Sequence, residues 1–251
     1  MSAEHIQTTR KGAVLTVTLT NEARRNSLST AALERLDALA GEIRGMGVRA
    51  VILTGAGEKA FTAGFNLAEV SDFQPEHMLK SYFGDVFEKW ARLPVPVIGA
   101  LNGPCMGGGV HVASICDTLV SVPGVRFMIP ASRFGFVYQA GPVARIVAAF
   151  GQWRAARLLY LNQELTVEDL VPHGFVSAIV PQAGLLAKAH EIAEATANLA
   201  PLAVAGVKEI IREAPNPDRA FELASKAAYS EDVKEGLAAL REKRTPVFRG
   251  V

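Results

Sequence analysis

The stretch PVPVIGALNGPCMGGGVHVASICD, residues 94–117, decides how the chain is to be read. Pro94 and Pro96 open a short apolar run of the kind that forms a buried strand. Glycines at 103, 107, 108 and 109 then mark a turn, and the apolar residues beyond it have helical character. A strand that feeds a glycine turn into a helix leaves backbone N–H groups unpaired at the helix start. Such groups can hold an anion or a developing negative charge.

Upstream, Ala50 to Leu53 reads as a second buried strand, running into Thr54, Gly55, Ala56 and Gly57. GAGEKA has the outline of a dinucleotide fingerprint, but that motif opens straight into a helix, whereas Phe61, Thr62, Ala63 and Gly64 continue an irregular turn. FTAGFN (61–66) is therefore a second glycine-marked bend, at which Gly64 allows close approach and Phe65 presents its N–H. Further back, Ala13 to Thr20 alternates as a half-buried strand should, and the polar NEARRN (21–26) ends it. Ser29 or Thr30 caps a helix with apolar positions Leu33, Leu36, Ala40 and Ile43, stopped by Gly45 and Gly47. The pattern Leu79, Phe83, Val86, Trp90 and Leu93 predicts a core-facing helix over 75–93, with Lys80, Asp85, Glu88 and Lys89 elsewhere on the wheel.

Downstream, strands are expected at 118–122 and 125–129 around a Pro123-Gly124 turn, an irregular segment at 130–141, and a helix at 143–150 ended by Gly151. Helical spacing covers 152–161, Thr166-x-x-Asp169 is a capping signal, and 175–180 is a strand. After that the chain is helical, with breaks at Pro201, at 215–218 and at Ser230; such a tail packs against a neighbouring subunit or closes a core. Strand, special turn and helix recur three times, so the fold class is α/β with crossover connections.

At 251 residues the chain can bury a sizeable core. Lys plus Arg number 26 and Asp plus Glu 25, a net charge of +1, so no global field points to nucleic acid or to an anionic membrane. A small-molecule partner is expected. The N-terminus lacks a signal-peptide core and no run is long enough for a membrane span, which predicts a soluble, cytoplasmic protein. Cys105 and Cys116 lie in apolar surroundings and read as buried thiols. The five histidines are isolated and no HExxH, CxxC, Walker A or GxSxG pattern is present, so no metal and no separate cofactor are expected. What remains is a pair of bends, around Phe65 and Gly108, whose N–H groups could converge as an oxyanion hole.

The runs VRAVILTGAGEKAFTAGFNL (48–67) and PVIGALNGPCMGGGVHVASICDTLVS (96–121) resemble the two signature regions of the crotonase superfamily, the enoyl-CoA hydratase/isomerase family. ARRNSLS (23–29), the tract 127–151 and EDVKEGLAALREKRTPVF (231–248) are similar to it as well, so the resemblance covers nearly the whole chain. It implies a spiral of ββα units over 1–195 with a C-terminal helical region over 196–251, assembled as a homotrimer or a dimer of trimers. It implies acyl-CoA thioesters as substrates, with coenzyme A part of the substrate rather than a cofactor. By resemblance, the N–H groups of Phe65 and Gly108 form the oxyanion hole. Ala23, Arg24, Arg25, Ser27 and Ala63 line the nucleotide and pantetheine, and Phe248 reaches the adenine region. Guanidinium groups at 24 and 25 suit the phosphates of coenzyme A.

The departures are informative. Hydratases of this family use two glutamates, and the matching positions here are His111 and Ala131. Ordinary hydration would lack its acid and its base. His111, near a helix start, is expected to be a neutral imidazole able to accept a proton or hold a substrate oxygen; a structural histidine is the competing reading. Tyr138, in GFVY (135–138), is similar in spacing to the tyrosine of methylmalonyl-CoA decarboxylases in the superfamily, and an aromatic wall of the acyl pocket is its competing reading. The implied function is therefore thioester-enolate chemistry, decarboxylation or a related reaction, assisted by Tyr138 and His111. A hydratase or isomerase with altered acid/base residues, and a non-catalytic acyl-CoA binder, are the alternatives.

Overall fold

The computed structural model describes residues 5–66, 82–135, 137–213 and 216–251. Strands β1 (Ile6–Lys11) and β2 (Val14–Leu19) form an antiparallel hairpin whose turn places Gly12 at φ 59°. The sequence reading passed over β1, because IQTTRK buries only Ile6 and carries no apolar alternation. From β2 the sheet continues in parallel through β3 (Ala50–Gly55), β4 (Val97–Leu101), β6 (Thr118–Ser121) and β9 (Val176–Ile179). Helices α1 (Thr30–Ile43), α2 (Tyr82–Ala91) and α3 (Gly108–Ser114) lie in the successive crossovers. The start of the helix expected over 75–93 lies outside the described residues. Ser29 caps α1 as anticipated, its hydroxyl accepting the Ala32 N–H at 3.1 Å.

A second, three-stranded sheet joins β5 (Cys105–Met106), β7 (Arg126–Met128) and β8 (Leu165–Thr166). The two strands flanking Pro123-Gly124 therefore belong to different sheets instead of forming a hairpin. Parallel neighbours need a crossover, and β6 already finds them in β4 and β9.

Alternate residues of the large sheet enter two separate cores. Leu15, Val17, Leu19, Val51, Leu53, Val97 and Leu119 share one with Leu33 and Leu36 of α1 and Trp90 of α2. Val14, Ala50, Ile52, Ile98, Ala100 and Val120 share the other with Leu185, Ala189, Ala193 and Ala197 of α6 (Leu185–Ala197). Strand β2 is thus covered on both faces, and Val14 and Thr16 are buried, not half-solvated. The alternation of β2 misled because threonine tolerates burial where its hydroxyl has a neighbour: Thr16 Oγ1 lies 3.4 Å from His190 Nε2 of α6.

Helices α4 (Ala140–Phe150) and α5 (Gln152–Leu159) meet at Gly151, and α7 (Pro201–Glu213), α8 (Pro217–Ala228) and α9 (Glu231–Glu242) complete the chain. Pro201 and Pro217 begin their helices, where a missing N–H is harmless. Helix α7 closes on its own core through two cations. Lys208 Nζ donates to Val95 O and to Asp117 Oδ2, both at 2.7 Å, and the Arg212 guanidinium reaches Asp117 Oδ1 at 2.8 Å and Cys116 O at 2.7 Å. Asp117 in turn accepts the Val97 N–H at 2.7 Å, so α7 is pinned to the start of β4.

Candidate active site

Both glycine-marked bends lie beyond the C-terminal ends of parallel strands, and the fold presses them together. Gly64 has φ 78°, and a Cβ there would stand 2.6 Å from the Cα and N of Gly108. A Cβ on Gly108 would meet the Phe83 ring at 2.7 Å. Position 64 therefore admits only glycine, and a side chain at 108 would have to displace the Phe83 ring. Backbone bonds hold it: Met106 N–H donates to Thr62 O at 3.1 Å, and Gly107 N–H donates to Met128 O at 2.8 Å.

Phe65 makes an isolated parallel bridge to Leu28. In that bridge Leu28 N–H donates to Gly64 O at 2.8 Å and Asn66 N–H donates to Leu28 O at 2.9 Å, so Phe65's own N–H points to the other side of the strand. Gly108 is the first residue of α3, where helical N–H groups have no intrahelical acceptor. The two expected oxyanion donors are thus carried by backbones in contact.

His111 follows on α3 and is 2% exposed. Its ring stands among those of Phe83 and Phe87, with centroids 6.0 and 6.1 Å away. Burial holds its pKa down at about 4, with Glu88 pulling it up and Arg145 pushing it down. That value leaves the imidazole neutral at pH 7, with desolvation as the largest cause. Nε2 is buried with no hydrogen-bond partner among the described residues. An orphaned buried nitrogen calls for a ligand or a water.

Tyr138 is half-buried against the same core, and burial pushes its hydroxyl up to about 12, so it is a neutral donor. Ala131 is buried at the start of a short 3-10 turn, Ala131–Phe134, just past β7. Ala23, Arg24 and Arg25 are exposed on the turn before α1, beside the Phe65 strand: Ala63 N–H donates to Arg25 O at 3.0 Å. Ser27 in that turn is buried, and its carbonyl accepts from Asn21 Nδ2 at 3.0 Å. Phe248 stands apart within this chain. Its ring lines a cleft with Ala203, Val233 and Gly236, and its carbonyl accepts from Arg49 at 2.6 Å. Arg49 precedes β3, whereas the bends follow it, a strand length of roughly 17 Å away. Cys105 and Cys116 are fully buried thiols, raised by desolvation, Cys116 to about 12.

Two charged residues near His111 had no site role in the sequence reading, which placed Glu88 on the wheel of its helix and passed over Arg145. Arg145 of α4 holds Glu88 of α2 bidentately, Nε to Oε2 at 3.1 Å and Nη2 to Oε1 at 2.6 Å, and Glu213 lies 3.6 Å away. The Arg145 pairing keeps the Glu88 carboxyl below its usual pKa. The available signal was Arg145 itself, the one charge in AGPVARIVAAF, since a cation on an apolar helix needs a partner.

The chain belongs to the Enoyl-CoA hydratase/isomerase family, whose sequence model it matches over residues 9–251. With this the α/β architecture is that of the crotonase superfamily. It is 33% identical over 249 residues to a Mycobacterium tuberculosis protein named "Probable enoyl-CoA hydratase", covering 96% of this chain and 98% of that one. It is 31% identical over 265 residues to carnitinyl-CoA dehydratase of Shigella flexneri, covering 99% of each. The crystal structure of enoyl-CoA hydratase from Bacillus anthracis superposes with a TM-score of 0.89 at 32% identity, over 98% of this chain and 100% of that one. Among the described residues, no helix is long and apolar enough to cross a membrane.

Proposed function

We propose that the chain binds an acyl-CoA thioester, accepts its carbonyl oxygen between the N–H groups of Phe65 and Gly108, and stabilises the enolate that forms when a bond to the α-carbon breaks. The observation that carries this reading is the seam at which Gly64 and Gly108 touch through backbone alone. Two fixed donors aimed at a developing oxyanion need no reorganisation as charge accumulates. Arg24 and Arg25, exposed on the adjoining turn, are placed to meet the phosphates of coenzyme A, with Ala23, Ser27 and Ala63 beside the pantetheine.

By the resemblance, His111 and Ala131 stand where hydratases of the family carry glutamates, and we read the reaction as one that runs without that pair of carboxylates. Decarboxylation of a malonyl-type thioester fits. The departing carboxylate leaves its electron pair on the α-carbon, the oxyanion hole holds the enolate, and a neutral Tyr138 or His111 orients the substrate and manages the proton that replaces carbon dioxide. The names of the relatives support a second reading, hydration or dehydration with an altered acid/base set. Incubation with methylmalonyl-CoA and with crotonyl-CoA, followed by mass spectrometry of the thioesters, separates the two. Loss of carbon dioxide from the first with the second untouched is expected. Hydration of crotonyl-CoA alone would replace the first reading by the second, and micromolar binding of both without turnover would leave a binding protein.

A further inference from the structure

The geometry points to Thr62 as a positioning residue, whose hydroxyl ties the turn carrying Arg24 and Arg25 to the strand that presents the Phe65 N–H. Thr62 is fully buried. Its Oγ1 donates to the Asn26 carbonyl at 2.6 Å and accepts the Gly64 N–H at 3.0 Å. One hydroxyl therefore spans the two segments, using its proton on one side and a lone pair on the other. Asn26 is held for this purpose in a left-handed conformation, φ 54°, and its Nδ2 donates to Ala56 O at 2.9 Å and Ala60 O at 2.8 Å.

The peptide that Thr62 fixes lies one residue before Phe65. Glycine tolerates a wide range of φ, so the peptides around Gly64 take their orientation from the hydrogen bonds they make. The Gly64 N–H is anchored by Thr62, and its carbonyl accepts from Leu28 at 2.8 Å, which leaves the following N–H with one direction. The Thr62 carbonyl accepts from Met106 at 3.1 Å and leaves no room for a side chain on Gly109, so the same residue also seats the Gly108 segment. Alanine at this position would keep the backbone contacts and lose the relay. A serine would keep both.

This assignment rests on the acyl-CoA reading above, and the test separates the two. The probe is butyryl-CoA isotopically labelled at its thioester carbonyl, bound to the full chain and followed by difference infrared spectroscopy alongside a binding isotherm. The parent chain should shift the carbonyl stretch to lower frequency, as two hydrogen bonds to the oxygen require. Thr62→Ser should retain the shift. Thr62→Val should lose most of it while the dissociation constant changes by less than about threefold, because contacts to the coenzyme are largely uniform binding. Thr62→Ala carries the same expectation should valine prevent folding. A full shift in both Thr62→Val and Thr62→Ala overturns the role of Thr62 and leaves the oxyanion hole standing. A parent chain that neither binds the probe nor shifts its carbonyl overturns the acyl-CoA reading and this inference with it.

Discussion

The seam between Gly64 and Gly108 and the buried aromatic cluster around His111 adjoin one another, yet they are built from different material. The seam is backbone: two glycines in contact, the proposed donors at 65 and 108, carbonyls of Thr62 and Met128 holding the strands in place. The cluster is side chains: Phe83, Phe87 and His111 from two helices, with the Glu88–Arg145 pair close enough to act on the histidine. A backbone site tolerates change in almost every side chain around it and none at the glycines. A side-chain site can be rewritten one residue at a time, which is how one fold comes to carry different reactions.

The largest effect that tests this contrast is expected at the seam. Gly64→Ala requires a left-handed alanine and drives a methyl group toward Gly108. It should lower kcat for whichever acyl-CoA the chain turns over by roughly 100- to 1,000-fold, the loss that follows when an oxyanion donor is misplaced. Steady-state kinetics beside circular dichroism checks it. Unchanged turnover in a folded variant would show that the two bends do not form a hole.

In the cluster the expected effect is smaller and depends on pH. His111 is held near a pKa of about 4 in the folded chain against 6.5 for an ordinary histidine. Between those values the unfolded chain binds the proton and the folded chain does not, so stability falls as pH drops from 6.5 toward 4. The shift corresponds to about 3 kcal/mol at most. His111→Leu should remove that slope while leaving stability at pH 7 close to the parent's. Urea unfolding at pH 7 and pH 4.5 measures the difference; an equal acid loss in both proteins would mean that the imidazole is not buried neutral.

The contrast also explains what the sequence disclosed. Glycines at 64, 107, 108 and 109, each following an apolar run, marked the seam, because close backbone approach leaves a mandatory residue type. Ser29, Pro217 and Gly151 marked helix ends for similar local reasons. The cluster left no such trace. Phe83, Phe87 and Glu88 occupy ordinary positions on an amphipathic helix, and their meeting with His111 and Arg145 depends on how α2, α3 and α4 pack. Burial on the second face of β2 was hidden for the same reason: α6, which covers it, lies more than 160 residues later, beginning at Leu185. The parting of β6 and β7 into separate sheets is likewise a property of topology and not of the turn between them.

The smallest expected effect sharpens the boundary between cluster and scaffold. Arg145→Met keeps the apolar stem of the side chain and removes the charge that pairs with Glu88. Because about a third of the Glu88 side chain is exposed and Arg92 also reaches it at 3.1 Å, the loss of stability at pH 7 should be below about 1 kcal/mol. The folded Glu88 pKa is depressed, so its contribution is present above the ordinary carboxylate range and disappears as pH falls through the folded value. Thermal melts of the parent and the variant should therefore converge in acid. The His111 ring reports the local consequence. Arg145 pushes its pKa down and Glu88 pulls it up, so removing the arginine and releasing the carboxylate both act upward. A proton NMR titration of the His111 ring in the variant should find its pKa above the parent's. A value unchanged from about 4 would mean that desolvation by Phe83 and Phe87 alone sets the histidine, and that the ion pair belongs to the scaffold that clamps α2 to α4.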